Sequence, residues 1–208
     1  MLWAHEAESE KTISFDGDSE GLPKSDADPE VQKVIDKKVE TVADTASYCH
    51  FNQNFRFTSQ PTGMQFTPRK TIGGRAWTSI GLSSMEHEKA LVLWGNTSIG
   101  LLLHWWHANK QQSGRGNIGV TALESLPILD INSLSKKQLK NAAKIFDDFA
   151  KRELLPFFEI DKDQVRQELD DQFFGEVLEF EDSILQAGGP LELLRKKLAQ
   201  EPSIRGGK

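Results

Sequence analysis

Apolar residues recur at helical spacing along most of the chain. A first helix is predicted for residues 29–51, where Asp28 can act as the cap and Val31, Val34, Ile35, Val39 and Val42 form one stripe. The same spacing predicts helices over residues 85–94, from the cap Asn96 or Thr97 to Trp106, from Ser135 to Pro156, from Asp161 or Asp163 to Leu178, and from Pro190 to Leu198. Helices are therefore expected to dominate the second half.

A different pattern occupies residues 51–80. Apolar and polar residues alternate at 55–58 and at 76–80, and Thr62-Gly63 and Gly73-Gly74 separate them as turns, which predicts a small β region. Residues 110–119 contain three glycines and no helical spacing, so they are predicted to form a loop, and residues 126–129 a short strand. Together these elements predict an α+β fold with a small central β region and a helix-rich second half.

The distribution of charge divides the chain into an arm and a domain. Residues 1–30 contain nine acids and two bases with frequent turn residues, so they are predicted to form an acidic arm or loop. The remaining residues, 31–208, are enough for a single α+β domain, which is what we predict.

The net charge of -6 hides a basic segment. Residues 50–119 contain seven bases and only two acids, which is compatible with one positive face on an otherwise acidic protein. Dispersed bases that merely keep a core-forming segment soluble are the alternative at this point. The charge pattern alone therefore permits a polyanionic partner but does not require one.

One apolar stretch, residues 90–108, has about the length of a membrane span. Its middle carries Asn96, Thr97 and Ser98 and its end carries His104 and His107, and these polar groups are costly in lipid. A buried helix or a broken helix pair is the better prediction. Because the first residues also lack the features of a signal peptide, we predict a cytoplasmic protein with no membrane partner.

Candidate catalytic residues are few. Cys49 is the single cysteine, and no HExxH, GxSxG, Walker or strand-linked GxGxxG motif is present. His104 and His107 lie three residues apart on a predicted helix and could share a metal, although polar ends of a buried aromatic helix are the simpler interpretation. The adjacent pairs Asp147-Asp148 and Asp170-Asp171 are predicted to lie on the polar faces of helices.

Residues suited to nucleic-acid recognition are more numerous. The segment 110–117 combines Arg and Lys for phosphate or guanine with Gln and Asn for adenine edges, and its glycines would let the backbone approach a ligand. A second basic turn precedes and includes Gly73-Gly74. The predicted DNA-binding residues are Arg56, Arg69, Lys70, Arg75, Lys110, Gln111, Gln112, Arg115 and Asn117.

Several short motifs in one order carry a resemblance to a known family. They are residues 71–77 (TIGGRAW), 93–102 (LWGNTSIGLL), 112–115 (QSGR), 126–130 (LPILD) and the closing segment 189–208, together with residues 2–5 and 57–60. In these motifs the chain resembles the region after the methylase domain of bacterial adenine-N6 DNA methyltransferases of restriction-modification and phage-defence systems. That region is similar to the target recognition domain of type I and type IIG-like enzymes.

The resemblance implies double-stranded DNA and a DNA methyltransferase domain or subunit as partners. The chain lacks the Asn-Pro-Pro-aromatic tetrapeptide that holds a flipped adenine and the glycine-rich turn that binds S-adenosylmethionine. The resemblance therefore implies a non-catalytic DNA sequence-recognition domain or subunit without a cofactor of its own. S-adenosylmethionine would belong to the methylase partner.

Two other functions stay open from the sequence. A metal-dependent nuclease or hydrolase would use His104 and His107. A helical assembly protein without DNA contact would use the amphipathic helices alone.

Overall fold

The structure, a computed structural model, describes residues 11–16, 25–74 and 76–206. Its helices are Pro29–Ala43 (α1), Met85–Asn96 (α2), Ser98–His107 (α3), Val120–Leu123 (α4), Lys136–Phe149 (α5), Gln164–Gln172 (α6), Asp182–Leu185 (α7) and Pro190–Gln200 (α8). Its strands are Ser47–Asn52 (β1), Met64–Thr71 (β2), Trp77–Ile80 (β3), Asn109–Gln111 (β4) and Arg115–Asn117 (β5). The predicted α+β fold, with a small sheet and a helix-rich second half, is confirmed.

Strand β1 is the centre of a three-stranded antiparallel sheet in the order β2-β1-β3. Cys49 pairs with Phe66 of β2 on one side and with Ile80 of β3 on the other. Both faces of β1 are buried, so its polar side chains need internal partners. His50 has them: its Nε2 lies 2.8 Å from the hydroxyl of Thr71, and its Nδ1 lies 3.3 Å from that of Ser79.

Two predictions of secondary structure are wrong, one at this sheet and one at residues 126–129. The first helix was expected to run to residue 51, but α1 ends at Ala43 and residues 47–52 form β1. The hydrogen bonds that β1 makes with two neighbouring strands outweigh the helical spacing of its residues. Residues 126–129 form no strand, since Leu126 packs into the core and Pro127 removes a backbone donor.

The apolar stretch at residues 90–108 breaks into α2 and α3 at Thr97, as the prediction of a broken helix pair requires. Thr97 has an extended backbone, and its side chain accepts a hydrogen bond from the backbone N–H of Gly100. Gly100 has no room for a side chain because a Cβ would lie 2.1 Å from the carbonyl oxygen of Trp94. No helix in the described part of the chain is long and apolar enough to cross a membrane.

Helix α5 packs against α2 with its apolar stripe. Ser135 and Gln138 form a reciprocal cap at its start, which confirms the predicted beginning of this helix. The helix ends at Phe149 rather than near Pro156, because the chain then turns and the N–H of Leu154 donates to the carbonyl of Lys11.

A buried ionic cluster joins α3, α6 and α8. Asp170 accepts hydrogen bonds from the backbone N–H of Ser98 at 2.8 Å and from Arg195 at 2.9 Å. Arg166 lies 3.3 Å from Asp163 and donates to the carbonyl of Pro61 at 2.8 Å. The expectation that Asp170 lies on a polar face is therefore wrong, because this carboxylate is fully buried.

Part of the predicted acidic arm belongs to the fold. Residues 11–16 run beside β2, where Ser14 forms a parallel bridge with Phe66, and Ile13 is buried in the core. The rest of the arm, residues 1–10 and 17–24, lies outside the described residues. The boundary between arm and domain stays a prediction.

Helix α1 contributes no buried residue to the fold. Val31, Val34, Val39 and Val42 of its apolar stripe are all exposed, Val34 most of all at 68%. Pro29 at its first turn and the Asp28 side chain, which accepts from Glu30 N–H, begin the helix as predicted.

Candidate nucleic-acid interface

Strands β4 and β5 form a hairpin where a loop was expected. Gln111 pairs with Arg115, and Asn109 pairs with Asn117. Ser113 and Gly114 close the turn with positive φ angles of 63° and 68°. A left-handed backbone at these two positions reverses the chain in a short space, which explains why the glycine-rich segment forms paired strands.

The backbone of residues 53–57 pairs with the other side of β5. The N–H of Phe57 donates to the carbonyl of Gly114 at 2.8 Å, and the N–H of Gly116 donates to the carbonyl of Phe55 at 2.8 Å. These two bonds flank an antiparallel bridge between Arg56 and Arg115. In such a non-hydrogen-bonded pair the two side chains leave on the same face and lie close together.

Six polar side chains share this face, because alternate residues of each strand point the same way. We call it the hairpin face, and it consists of Asn54, Arg56, Asn109, Gln111, Arg115 and Asn117. No acidic residue belongs to it. All six are exposed except Asn117, which is half-buried and donates to the Asn54 side chain at 2.6 Å.

Asn54 and Asn109 were missed by the sequence prediction. The signal that could have found Asn54 is the alternation around Phe55 and Phe57, which are both buried. Residues between and beside two buried aromatic residues of an extended segment point to the opposite face. Asn109 has no such signal, because its position depends on the register of the hairpin.

The central feature of the hairpin face is the pair Arg56 and Arg115. Both side chains are exposed, and neither guanidinium has an ion pair or side-chain hydrogen bond with another residue in the described ranges. Like charges directly opposite each other on a sheet are destabilising. A single anionic group between them would turn this repulsion into two attractions, and a phosphate can accept from both guanidinium groups.

The glycines of the hairpin approach the protein itself rather than a ligand, which corrects the expectation from the sequence. A Cβ on Gly116 would lie 2.7 Å from the ring of Phe57. A Cβ on Gly114 would lie 2.5 Å from the methyl group of Thr58. These close contacts hold the hairpin against residues 55–58 and fix the position of Arg115.

Lys110 lies on the opposite face of the hairpin from Arg115, because it occupies the alternate position of β4. Its Nζ lies 4.6 Å from the ring centroid of Trp105 and donates to the carbonyl of Trp106 at 3.3 Å. The side chain of Gln112 and all of Arg75 lie outside the described part of the structure.

Arg69 and Lys70 were predicted to form a basic turn, but they lie in strand β2 and are separate from the hairpin. Thr71, which follows Arg69 and Lys70, pairs with Ser47 at the start of β1, whereas Arg56 follows the end of β1 at Asn52. The length of β1 separates the two places by about 16 Å, at about 3.3 Å per residue. The structure therefore places the predicted DNA-binding residues that it describes at three positions: the hairpin face, the opposite face at Lys110, and the end of β2.

His104 and His107 do not meet at a common surface. His104 is buried and stacks on Phe51 with ring centroids 4.7 Å apart, and its Nε2 is buried without a partner among the described residues. Burial lowers its pKa to about 3. His107 is exposed. Within the residues that the structure describes, no group of three or more His, Cys, Asp or Glu side chains could hold a metal.

A cavity of about 440 Å³ adjoins His104. It lies between β1, α2, α3 and residues 120–128, and its walls are mostly apolar. The lining contains Glu124 but no Lys or Arg, so the cavity offers a phosphate no cation. The exposed guanidinium groups of the hairpin face make it the better candidate interface.

Comparison with known proteins finds no matching family, no matching curated protein and no matching solved structure.

Proposed function

We propose that this chain is a DNA sequence-recognition domain or subunit of a restriction-modification or phage-defence DNA methyltransferase, without catalysis of its own. The observation that carries the proposal is the exposed pair of Arg56 and Arg115 at the centre of a face without acids. The motif order that resembles the target recognition region of adenine-N6 methyltransferases supports the same function.

In this proposal Arg56 and Arg115 hold one DNA phosphate between them. Gln111 and Asn109 extend from the same face and can pair with base edges, for which amide side chains supply both donors and acceptors. The hairpin face can lie against DNA with these amides toward the base edges while the arginine pair contacts the backbone. Arg69 and Lys70 would contact a more distant phosphate.

Methyl transfer and S-adenosylmethionine binding belong to the partner in this proposal. The chain carries neither the tetrapeptide that holds a flipped adenine nor the glycine-rich cofactor turn. The chain would then contribute the choice of site and the orientation of DNA toward the methylase.

Arg115→Ala is expected to weaken binding of the chain to a mixed-sequence DNA duplex about tenfold at low salt, because a charge-assisted, bidentate contact is lost. Arg115→Lys keeps the charge but loses the planar fork, so its affinity should fall between those of Arg115→Ala and the unaltered chain. Fluorescence anisotropy of a labelled duplex measures both effects.

The matched control is Lys144→Ala, which removes one exposed positive charge from α5. It should leave the affinity within about twofold of the original value, since only a small change in net charge remains. Equal losses for Lys144→Ala and Arg115→Ala would show that bulk charge rather than the hairpin face binds DNA.

A second candidate function, assembly without DNA contact, is favoured by the exposed stripe of α1. Two copies of α1 packed antiparallel place Val31 opposite Val42 and Val34 opposite Val39, so the stripe is complementary to itself. Sedimentation velocity at rising concentration should then show a dimer that Val34→Asp abolishes. A monomer at all concentrations would exclude this candidate.

A further inference from the structure

The apolar cavity beside His104 has the size and the opening of a small-molecule site. Its volume of about 440 Å³ lies within the range of about 300–1,000 Å³ that is usual for such sites. Val120, Glu124 and Ile128 form part of its wall and are exposed, so a ligand can enter from that side. An apolar cavity of about 150 Å³ holds one benzene molecule, so this larger cavity has room for two fused rings.

The inner wall of the cavity favours an aromatic ring. Phe51 and Trp94 are buried there, and Met64 is also part of the lining. Aromatic side chains make favourable stacked or edge-to-face contacts with another ring, and a methionine sulfur makes a favourable contact with a ring edge. A planar ligand ring therefore gains more specific contacts in this cavity than an aliphatic chain of the same volume does.

His104 supplies the polar contact of the cavity. Its Nε2 is buried without a partner, and no other buried, unpartnered side-chain atom of the described residues belongs to the wall. The Thr78 hydroxyl, which is also in the wall, already accepts a hydrogen bond from Gln53. The Ser79 hydroxyl already lies 3.3 Å from Nδ1 of His50. A buried nitrogen without a hydrogen bond costs free energy, which a ligand group that bonds to Nε2 would restore.

A neutral hydroxyl group suits this nitrogen better than a charged group does. Burial lowers the pKa of His104 to about 3, so its ring is uncharged at neutral pH and forms no ion pair with an anion. The described residues of the wall include no Lys or Arg, and the exposed Glu124 repels anions at the opening. A cation would lose its hydration among the apolar side chains. A hydroxyl both donates and accepts, so it can bond to Nε2 in either tautomer of the neutral ring.

We propose that the cavity binds a small neutral molecule of one or two aromatic rings with a single hydroxyl group, which bonds to Nε2 of His104. Phenols and naphthols represent this chemical class. The rings would pack against Phe51 and Trp94. None of the six residues of the hairpin face belongs to the cavity wall, so this inference goes beyond the proposed DNA recognition.

The experiment compares β-naphthol with naphthalene, which has the same rings without the hydroxyl. Isothermal titration calorimetry measures the affinity of the original chain and of His104→Phe for each compound. The original chain should bind β-naphthol about three- to tenfold more tightly than naphthalene, because the hydroxyl gains a hydrogen bond in the cavity. His104→Phe should lose or reverse this preference, since the hydroxyl then has no partner there.

Ile128→Ala and Leu193→Ala form a matched pair of further variants, because both side chains are 50% exposed and only Ile128 belongs to the cavity wall. Ile128→Ala should weaken binding of β-naphthol about fourfold, equivalent to lost contact with one methylene group, and Leu193→Ala should leave the affinity unchanged. The proposal is overturned if the original chain does not bind β-naphthol, if the two variants have equal effects, or if the preference for the hydroxyl persists in His104→Phe. Since the measurement contains no DNA, its result is independent of the proposed function.

Discussion

Asp170→Ala is expected to lower the free energy of unfolding by about 3–5 kcal/mol, because it leaves buried cations without their carboxylate. Asp170 is fully buried and accepts from Arg195 at 2.9 Å and from the backbone of Ser98 at 2.8 Å. Arg166, in the same cluster, is also fully buried. Urea unfolding at neutral pH measures the loss.

The exposed ion pair of Arg152 and Glu168 provides the control for this prediction. Its atoms are closer, at 2.7 Å, but its side chains are 36% and 53% exposed. Arg152→Ala should therefore cost at most about 1 kcal/mol, since solvent screens the pair. Should Asp170→Ala fail to fold, Ser98→Ala removes the hydrogen bond that the Ser98 hydroxyl donates to Asp170 and should cost about 1–2 kcal/mol. A loss for Arg152→Ala as large as that for Asp170→Ala, or no loss for Ser98→Ala, would contradict the structural role of the cluster.

Acid is expected to destabilise the protein through its buried histidines. Burial lowers the pKa of His104 to about 3 and that of His50 to about 4. The unfolded chain, with histidine pKa values of about 6.5, binds more protons below that pH than the folded chain does. The stability that these histidines contribute is therefore present above pH 6.5 and is lost as the pH falls toward 3.

His104→Phe should remove the part of this acid destabilisation that comes from His104. The change is expected to make the free energy of unfolding less sensitive to pH by about 3 kcal/mol between pH 7 and pH 4. The cavity beside His104 gives room for the larger ring. Urea unfolding at several pH values, in the original chain and in His104→Phe, measures the difference. A pH dependence unaltered by His104→Phe would contradict the neutral, buried state of His104.

Local patterns predicted where the helices begin better than where they end, since the helices expected to reach Pro156 and Leu178 end at Phe149 and Gln172. The Ser135 cap and the break at Thr97 depend on neighbouring residues alone, so the sequence contains the whole signal. Strand β1 was missed because its structure depends on pairing with residues from two distant segments. The buried Asp170 was missed for the same reason, since its partners come from α3 and α8.

The candidate interface was predicted in its chemistry but not in its arrangement. Arg56 and Arg115 were both named from residue type and local charge, yet nothing in the sequence places them opposite each other. That contact requires the antiparallel pairing of residues 53–57 with β5, and β2, β3, α2, α3 and β4 lie between the two segments in sequence. Residue composition could therefore indicate a polyanion, while the pairing of strands explains where a phosphate would lie.

The salt dependence of DNA binding tests the central claim, that Arg56 and Arg115 together hold DNA phosphate. The measurement is the slope of log affinity against log salt concentration for a mixed-sequence duplex, in the original chain and in the Arg56→Ala/Arg115→Ala double variant. If the pair holds one phosphate, the double variant should lose about one from the magnitude of the slope, because one neutralised phosphate is lost. An unchanged slope in the double variant would contradict the claim.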